Sequence, residues 1–411
     1  MIERYWLTAA IALFLAGLAL EEFMLLLVAL FFFLTFSSAI LWSRYVFSRL
    51  RITRSIKENR AFCGDTVTLE VEVANKKLLP LLWLQVDDEF PTGLSLIDGY
   101  LTKSEKPKKM NMTSYFSLAP YHSVRRYFRI KCLERGVYHF GPATLKSGDP
   151  FGIYKKTLDV PASERLIVYP AVEPLEKFNI KADQFFGEIR VNSHLYQDPV
   201  YPVGVRPFRP GDSPRHINWR ATARMRDLQT KKFDHNVTMQ LSLFVDVRTI
   251  ERPYWGTNRD TMERVIKLAA SIACETLNKG YAVALFVNEL ISFYSRFAFI
   301  KVHSSSHRTQ ARMILEALAA VRSIEALPIH RMIALEQNKL PPGASVVVIT
   351  AMPEPSLLKY LGGLKKSGQG VILFDLGGRS GSDTMAGDYR IVNVPVGEIN
   401  TAKKDERLAA L

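Results

Sequence analysis

Three textures follow one another along the 411 residues of this chain. They predict two N-terminal transmembrane helices, then an antiparallel β-sandwich-like domain, then an α/β domain. Residues 1–47 are almost wholly apolar, residues 62–170 alternate apolar with polar side chains, and residues 238–411 alternate continuous apolar runs with amphipathic stretches. Residues 48–61 read as a basic juxtamembrane linker, and residues 171–237 as a linker carrying a basic motif. With 48% hydrophobic and 23% charged residues, the composition is that of a folded protein and excludes wholesale disorder. The net charge of +14 suits anionic lipid, nucleic acid or an acidic protein, and does not choose among them. The cysteines Cys63, Cys132 and Cys274 lack metal-type spacing and fit a reducing compartment, a Cys63–Cys132 bridge staying open.

From Tyr5 to Phe47 the apolar run is broken by Glu21-Glu22 and closed by Arg44. A bilayer core is spanned by about 20 helical residues, so the run divides at the glutamates into two helices, roughly Trp6–Leu20 and Phe23–Trp42. A cleaved signal peptide competes for the first helix, but it lacks a basic leader and a small-residue cleavage site. Arg44, Arg49, Arg51, Arg54, Lys57 and Arg60 follow the second helix. Positive residues stay inside, so a multi-pass protein of the cell membrane with cytoplasmic soluble domains is expected. The same basic run should meet the lipid bilayer surface.

The sandwich is read from TVTLEVEVAN, LLWLQVDDEF, SYFSLAP and RRYFRIKCL, which carry the period of half-buried strands. GVYHFGPATLKSGDPFGIYKK adds strand, turn and strand. Short strands at this spacing suit an antiparallel sandwich of about 100 residues. The lysine-rich KSEKPKKMN, Lys103–Asn111, reads as a solvated loop between strands.

Downstream, MQLSLFVDV, YAVALFVN, ASVVVIT and QGVILFDLG are continuous apolar runs, the mark of buried parallel strands. RDTMERVIKLAASIACETLNKG, HRTQARMILEALAAV, HRMIALEQNKL and SLLKYLGGLKKSG lie between them with helical spacing. Alternation of this kind implies a mainly parallel sheet whose functional residues sit at strand ends, here Asp246, Asn288, Thr350 and Asp375. No phosphate-cradling glycine loop and no nucleophile elbow is present, so no catalytic residue and no cofactor is indicated and the chain is read as a non-enzyme. HSSSH, His303–His307, has metal-ligand spacing but reads as a strand-to-helix turn capped by Ser305 or Ser306.

The order of strands and helices is similar to von Willebrand factor A domains, which carry Asp-x-Ser-x-Ser after the first strand to hold a divalent cation. Here the stretch is Asp246-Val247-Arg248-Thr249-Ile250, so Arg248 and Ile250 stand where that resemblance implies hydroxyls. With Thr350 at the later strand end, the site formed by Asp246, Arg248 and Thr350 is expected to be degenerate and to hold no metal.

FRPGDSPRHINWRATARM, Phe208–Met225, concentrates arginine beside a Gly-Asp turn. Asp212 or Ser213 can cap a helix opened by Pro214, with Asp212 also within reach of Arg215. Continued through RHINWRATAR, that helix would align His216, Arg220 and Arg224 on one face, with Trp219 plugging an interior beside Ala223. Gly211, Asp212, Arg215, Ile217, Asn218, Trp219, Ala223 and Arg224 resemble the signature of the bacterial and archaeal domain of unknown function 58 proteins. GDPFGIY, Gly148–Tyr154, extends the likeness, whereas Pro207 departs from the glutamate common there. The resemblance implies a von Willebrand-like domain, and kin encoded beside MoxR-type AAA+ ATPases. The implied role is assembly or maturation of other proteins.

The expected function is therefore a membrane-anchored interaction protein. Arg209, Gly211, Asp212, Arg215, Asn218, Trp219, Arg220 and Arg224 would form the partner-binding motif. Its partner would be an acidic protein surface, an AAA+ ATPase or that ATPase's client; a homo-oligomer is also compatible. Nucleic acid is not expected, because one buried tryptophan is no stacking platform. A membrane-tethered nucleic-acid binder and a cation-dependent, outward-facing adhesion protein are the alternatives.

Overall fold

The computed structural model describes residues 2–103, 109–161, 164–182, 185–186, 202–233, 240–250, 256–290, 299–322, 324–340, 344–366, 369–377, 384–386 and 389–394. They form two compact units, Met1–Tyr169 and Pro170–Leu411. Most of the lysine-rich loop, residues 104–108, lies outside the described residues.

The first unit opens with helices α1 (Ile2–Ala19) and α2 (Phe23–Tyr45). The two lie close, since a Cβ on Gly17 would meet the Leu25 and Leu26 side chains at 3.1–3.2 Å. Glu21 makes the turn in a left-handed conformation. Among the described helices, α2 alone combines the length and apolarity needed to cross a membrane, with a mean hydropathy of 2.5 over its most apolar window.

Among the described residues, twelve strands then build three sheets. They are β1 (Leu50–Ile56), β2 (Arg60–Phe62), β3 (Thr66–Asn75) and β4 (Leu81–Pro91). Next come β5 (Leu94–Leu96), β6 (Leu101–Lys103), β7 (Lys109–Leu118) and β8 (Ser123–Cys132). The last four are β9 (Gly136–Phe140), β10 (Ala143–Gly148), β11 (Lys155–Val160) and β12 (Glu164–Tyr169). The sheet orders are β1-β3-β8-β5, β11-β10-β4-β7-β6 and β2-β12-β9. All pairings are antiparallel except β2 with β12. Strand alternation sends Val67, Leu69, Val71 and Val73 of β3 into one core with Leu84, Val86 and Phe90 of β4.

The reading of 48–61 as a linker needs correction: Leu50–Ile56 is a strand of the first sheet, in register with Asn75–Leu69. Its Arg54 is buried, and Nε meets Asp88 Oδ2 at 2.8 Å. Burial pushes the Asp88 carboxyl up to about 6 against the opposing pull of Arg54. Among the loops, Asp149 is fully buried and accepts backbone N–H groups from Phe151, Ile153 and Tyr154. Gly148 is required there, because a Cβ would lie 2.0 Å from the Tyr154 carbonyl oxygen.

In the second unit, β13 (Pro202–Pro207), α3 (Trp219–Met225) and β14 (Gln229–Phe233) precede the large sheet. That sheet contains β15 (Gln240–Val245), β16 (Ala282–Val287), β17 (Ile300–Ser305), β18 (Ser345–Thr350), β19 (Gly370–Asp375), β20 (Thr384–Ala386) and β21 (Tyr389–Asn393). Its order is β17-β16-β15-β18-β19-β21-β20. The inner strands run parallel, and β17 and β20 close the edges antiparallel. The helices are α4 (Arg259–Asn278), α5 (Gln310–Ala320), α6 (Ile329–Glu336) and α7 (Pro355–Lys366). Apolar residues of α6 and α7 pack with Phe244, Phe286, Val346 and Leu373 on one face of the sheet. The Ser305–Ser306 turn differs from expectation in that Ser305 Oγ accepts the His307 N–H at 3.1 Å, while α5 begins only at Gln310.

Candidate functional site

The arginine-rich motif is built on a two-stranded ribbon. β13 pairs antiparallel with β14, setting Arg206 opposite Thr230 and Pro207 opposite Gln229. Asp212, in the connection, is the organising residue. Its carboxylate takes both arms of the Arg206 guanidinium, at 2.7 and 2.8 Å, and the Arg209 N–H at 2.9 Å. The Thr230 hydroxyl adds a longer bond at 3.4 Å. The Arg206 bond, then the Arg209 amide, hold the carboxyl down to about 2. Gly211 turns the chain beside it at φ +107, a conformation that needs glycine.

This geometry corrects two expectations. Asp212 pairs with Arg206, not Arg215, and no side chain caps the 3₁₀ turn Pro214–His216. The helix is also not continuous. Ile217 bridges to Thr230, and the Asn218 N–H bonds the Gln229 carbonyl at 2.8 Å, so the chain is extended between the two turns. α3 starts afresh, with Asn218 Oδ1 accepting the Ala221 N–H at 3.2 Å as its N-cap. His216 therefore leaves the face that Arg220 and Arg224 share.

Trp219 is the third correction. It is 68% exposed, not an interior plug, and Met225 is 60% exposed on the same short helix. Leu228 is exposed after it. A seven-residue helix on a two-stranded ribbon has too little surface behind it to bury an indole. Arg209, Arg215, Arg220 and Arg224 are all exposed and carry no ion pair among the described residues. Sequence reasoning missed Arg206, because its bond to Asp212 depends on the pairing of β13 with β14, which nothing local announces.

Asp246, at the end of β15, is fully buried. Oδ1 accepts Asn288 Nδ2 at 2.8 Å and the Arg248 N–H at 3.1 Å, and Oδ2 accepts the Thr350 hydroxyl at 2.8 Å. Burial drives its pKa up, opposed by these bonds. The Arg248 guanidinium turns away from Asp246 to pair with Glu354. Donors thus occupy the oxygens a cation would need, and a hard-cation shell does not fit this residue set. No group of three or more His, Cys, Asp or Glu stands ready for a metal ion among the described residues. A cavity of about 550 Å³ opens beside Arg248, lined also by Thr249, Arg322, Glu325 and Leu327.

A family model described as "Protein of unknown function DUF58" matches residues 204–339, from the ribbon to the turn after α6. Over this stretch the chain is similar to the DUF58 family. The uncharacterized protein YeaD of Bacillus subtilis (strain 168) is 24% identical over 245 residues, 59% of this chain and 56% of that protein. The chain therefore spans little more than half the length of this curated relative. Among solved structures, the CARDB domain of the PF1109 protein from Pyrococcus furiosus shares 11% identity, with 29% of this chain and 91% of that one covered at a TM-score of 0.20. A non-cellulosomal cohesin from Archaeoglobus fulgidus shares 8%, covering 29% and 91% at 0.19. The DUF58 match holds the arginine motif and, of the Asp246 network, Asp246, Arg248 and Asn288, while Thr350 lies beyond it.

Proposed function

We propose that this chain is a membrane-anchored interaction protein that docks an acidic protein surface on the face of α3. The observation that carries this reading is an exposed indole and thioether, Trp219 and Met225, on a short helix that also exposes Arg220 and Arg224, neither of which has an ion pair among the described residues. Tryptophan and arginine dominate binding energy at protein interfaces, where an apolar anchor sits inside a charged rim. Asp212 and Arg206 belong to the scaffold that holds this face, and Arg209, Arg215, Arg220 and Arg224 to the contact. In the same reading α1 and α2 cross the bilayer as a hairpin and the folded units are cytoplasmic. The parallel sheet and its Asp246 strand end support a von Willebrand-like domain whose cation site has become a hydrogen-bonded plug. An AAA+ ATPase of the MoxR type, or its client, is the partner suggested by family kinship.

Trp219→Ala and the pair Arg220→Glu with Arg224→Glu test the proposal. At exposed positions such changes shift stability by about 0.5 kcal/mol or less. Both variants should melt like the parent, yet lose the partner captured by crosslinking in native membranes. Unfolding of the charge-reversed variant, or unchanged capture by both, would refute the docking face. The exposed Trp219 also favours one second reading, a tethered binder of single-stranded nucleic acid using the indole as a stacking surface. Salt-dependent binding of oligonucleotides, lost with Trp219→Ala, would select it.

A further inference from the structure

The loops at one end of the sandwich share a character that neither its core nor the partner motif explains. β1 leaves α2 through residues 46–49, and Leu50 pairs with Asn75 at the end of β3. Ala74 pairs with Ser123 at the start of β8, and Leu81 at the start of β4 with Leu118 at the end of β7. Ser147 near the end of β10 pairs with Leu84. Four loops, 46–49, 76–80, 119–122 and 149–154, therefore gather at the end where α2 enters. Backbone bonds tie the first three together: Lys76 N–H to the Arg49 carbonyl at 3.1 Å, and Tyr121 N–H to the Lys77 carbonyl at 3.3 Å.

These loops expose large apolar side chains at their tips: Leu78 is 73% exposed, Tyr121 68% and Phe151 57%. Arg49 and Lys76 are exposed beside them, and their one acid, Asp149, is buried against loop amides. The opposite end is mixed in charge, with Glu58, Asp65 and Glu134 beside Lys57, Arg60 and Arg135. Lys77 lies between Lys76 and Leu78 with only 6% exposure, and its ammonium has no acceptor among the described residues. Burial lowers its pKa. A lysine stem can swing its ammonium outward to a phosphate, the habit of such side chains at membrane interfaces.

We propose that this end of the sandwich is seated in the headgroup layer of an anionic bilayer, with Leu78, Tyr121 and Phe151 dipping below the headgroups. Apolar and aromatic tips with a cationic collar match the polarity gradient of that layer, and the apolar helix α2 leads directly into it. Tyr121 is held at φ +55, a left-handed conformation unfavourable for tyrosine, so its ring is displayed by the hairpin and not left there by chain slack. The inference rests on α2 being a membrane anchor.

The test uses the full chain in nanodiscs of brominated phosphatidylglycerol, with an environment-sensitive fluorescent amino acid at one position at a time. Phe33, within α2, reports the anchor. Glu58, beyond the other end of β1, reports bulk solvent, since strands rise about 3.3 Å per residue and set it well outside the lipid. A side chain seated about 5–10 Å into the interface meets the bromines, so quenching at Leu78 and Phe151 should exceed that at Glu58 at least about twofold. Quenching at Phe33 with Leu78 and Phe151 matching Glu58 would overturn the inference and leave the anchor standing; a protein covering this end would give that result. No quenching at Phe33 would overturn both.

Discussion

Arg54 and Asp88 are almost inaccessible, and each is costly to bury alone. Removing one member of a buried pair destabilises by about 3–5 kcal/mol, because the other charge stays behind. Arg54→Met should therefore lower stability by about that amount near pH 8. The sign with pH follows from the Asp88 carboxyl lying near 6, above its unfolded value. Its favourable contribution is complete below the unfolded pKa and is lost as pH rises through about 6. Without Arg54 to favour the ionised form, the loss should steepen, so Arg54→Met should recover toward the parent at pH 5. Chemical unfolding at the two pH values checks this; an equal deficit at both would be contrary evidence. Arg54 was illegible as a core residue because its partner lies on another strand. Locally it is one more arginine in a basic run. Trp219 failed in the opposite sense: an indole in the sequence suggests an interior, and only the size of the surface behind α3 reveals that none is available. Asp246, by contrast, was readable at the end of an apolar strand, and so were the missing hydroxyls after it. Calorimetric titration with Mg²⁺ should show no micromolar binding, and a clear isotherm abolished by Asp246→Ala would contradict the donor arrangement around that carboxylate.

Regular elements were legible wherever the period was clean. TVTLEVEVAN folds as a strand with every second residue buried, and the apolar runs of β15, β16, β18 and β19 lie almost entirely inside their sheet. Elements decided by distant partners were not legible. The expected helix through His216 and Arg224 breaks at Ile217 and Asn218 because β14 claims their backbone groups, and nothing within that segment announces it. The Asp149 loop lies between these cases: Gly148 and Asp149 stood out as a turn, but the three amides gathered by one carboxylate required the structure. Gly148→Ala drives a Cβ into the Tyr154 carbonyl, and Asp149→Ala strips those part-buried amides of their acceptor. Each should cost about 1–3 kcal/mol, read as a lower melting temperature. If Asp149→Ala melted like the parent, water would have to replace the carboxylate, and the rigid display of Phe151 would lose its basis.

For the whole molecule, the governing asymmetry is charge about the apolar N-terminus. Glu21 and Glu22 sit between α1 and α2, whereas Arg44, Arg49, Arg51, Arg54, Lys57 and Arg60 follow α2. Topology is set while the chain is still unfolded, so Arg54 counts as a retained charge then even though it is later buried in the sandwich. Two outcomes follow if α2 is an anchor whose basic flank stays inside. The full chain should remain with membranes after alkaline carbonate washing, since an apolar helix of this length does not leave the bilayer when ionic contacts are stripped. A reporter fused after Leu411 that works only outside the membrane should stay silent, and one that works in the cytoplasm should be active. Release by carbonate with a shortened N-terminus would mean that the apolar segment is a cleaved signal. Retention with an active outside reporter would instead preserve the anchor and reverse the orientation. The arginine face of α3 would then meet partners beyond the membrane, where no cytoplasmic ATPase could reach it.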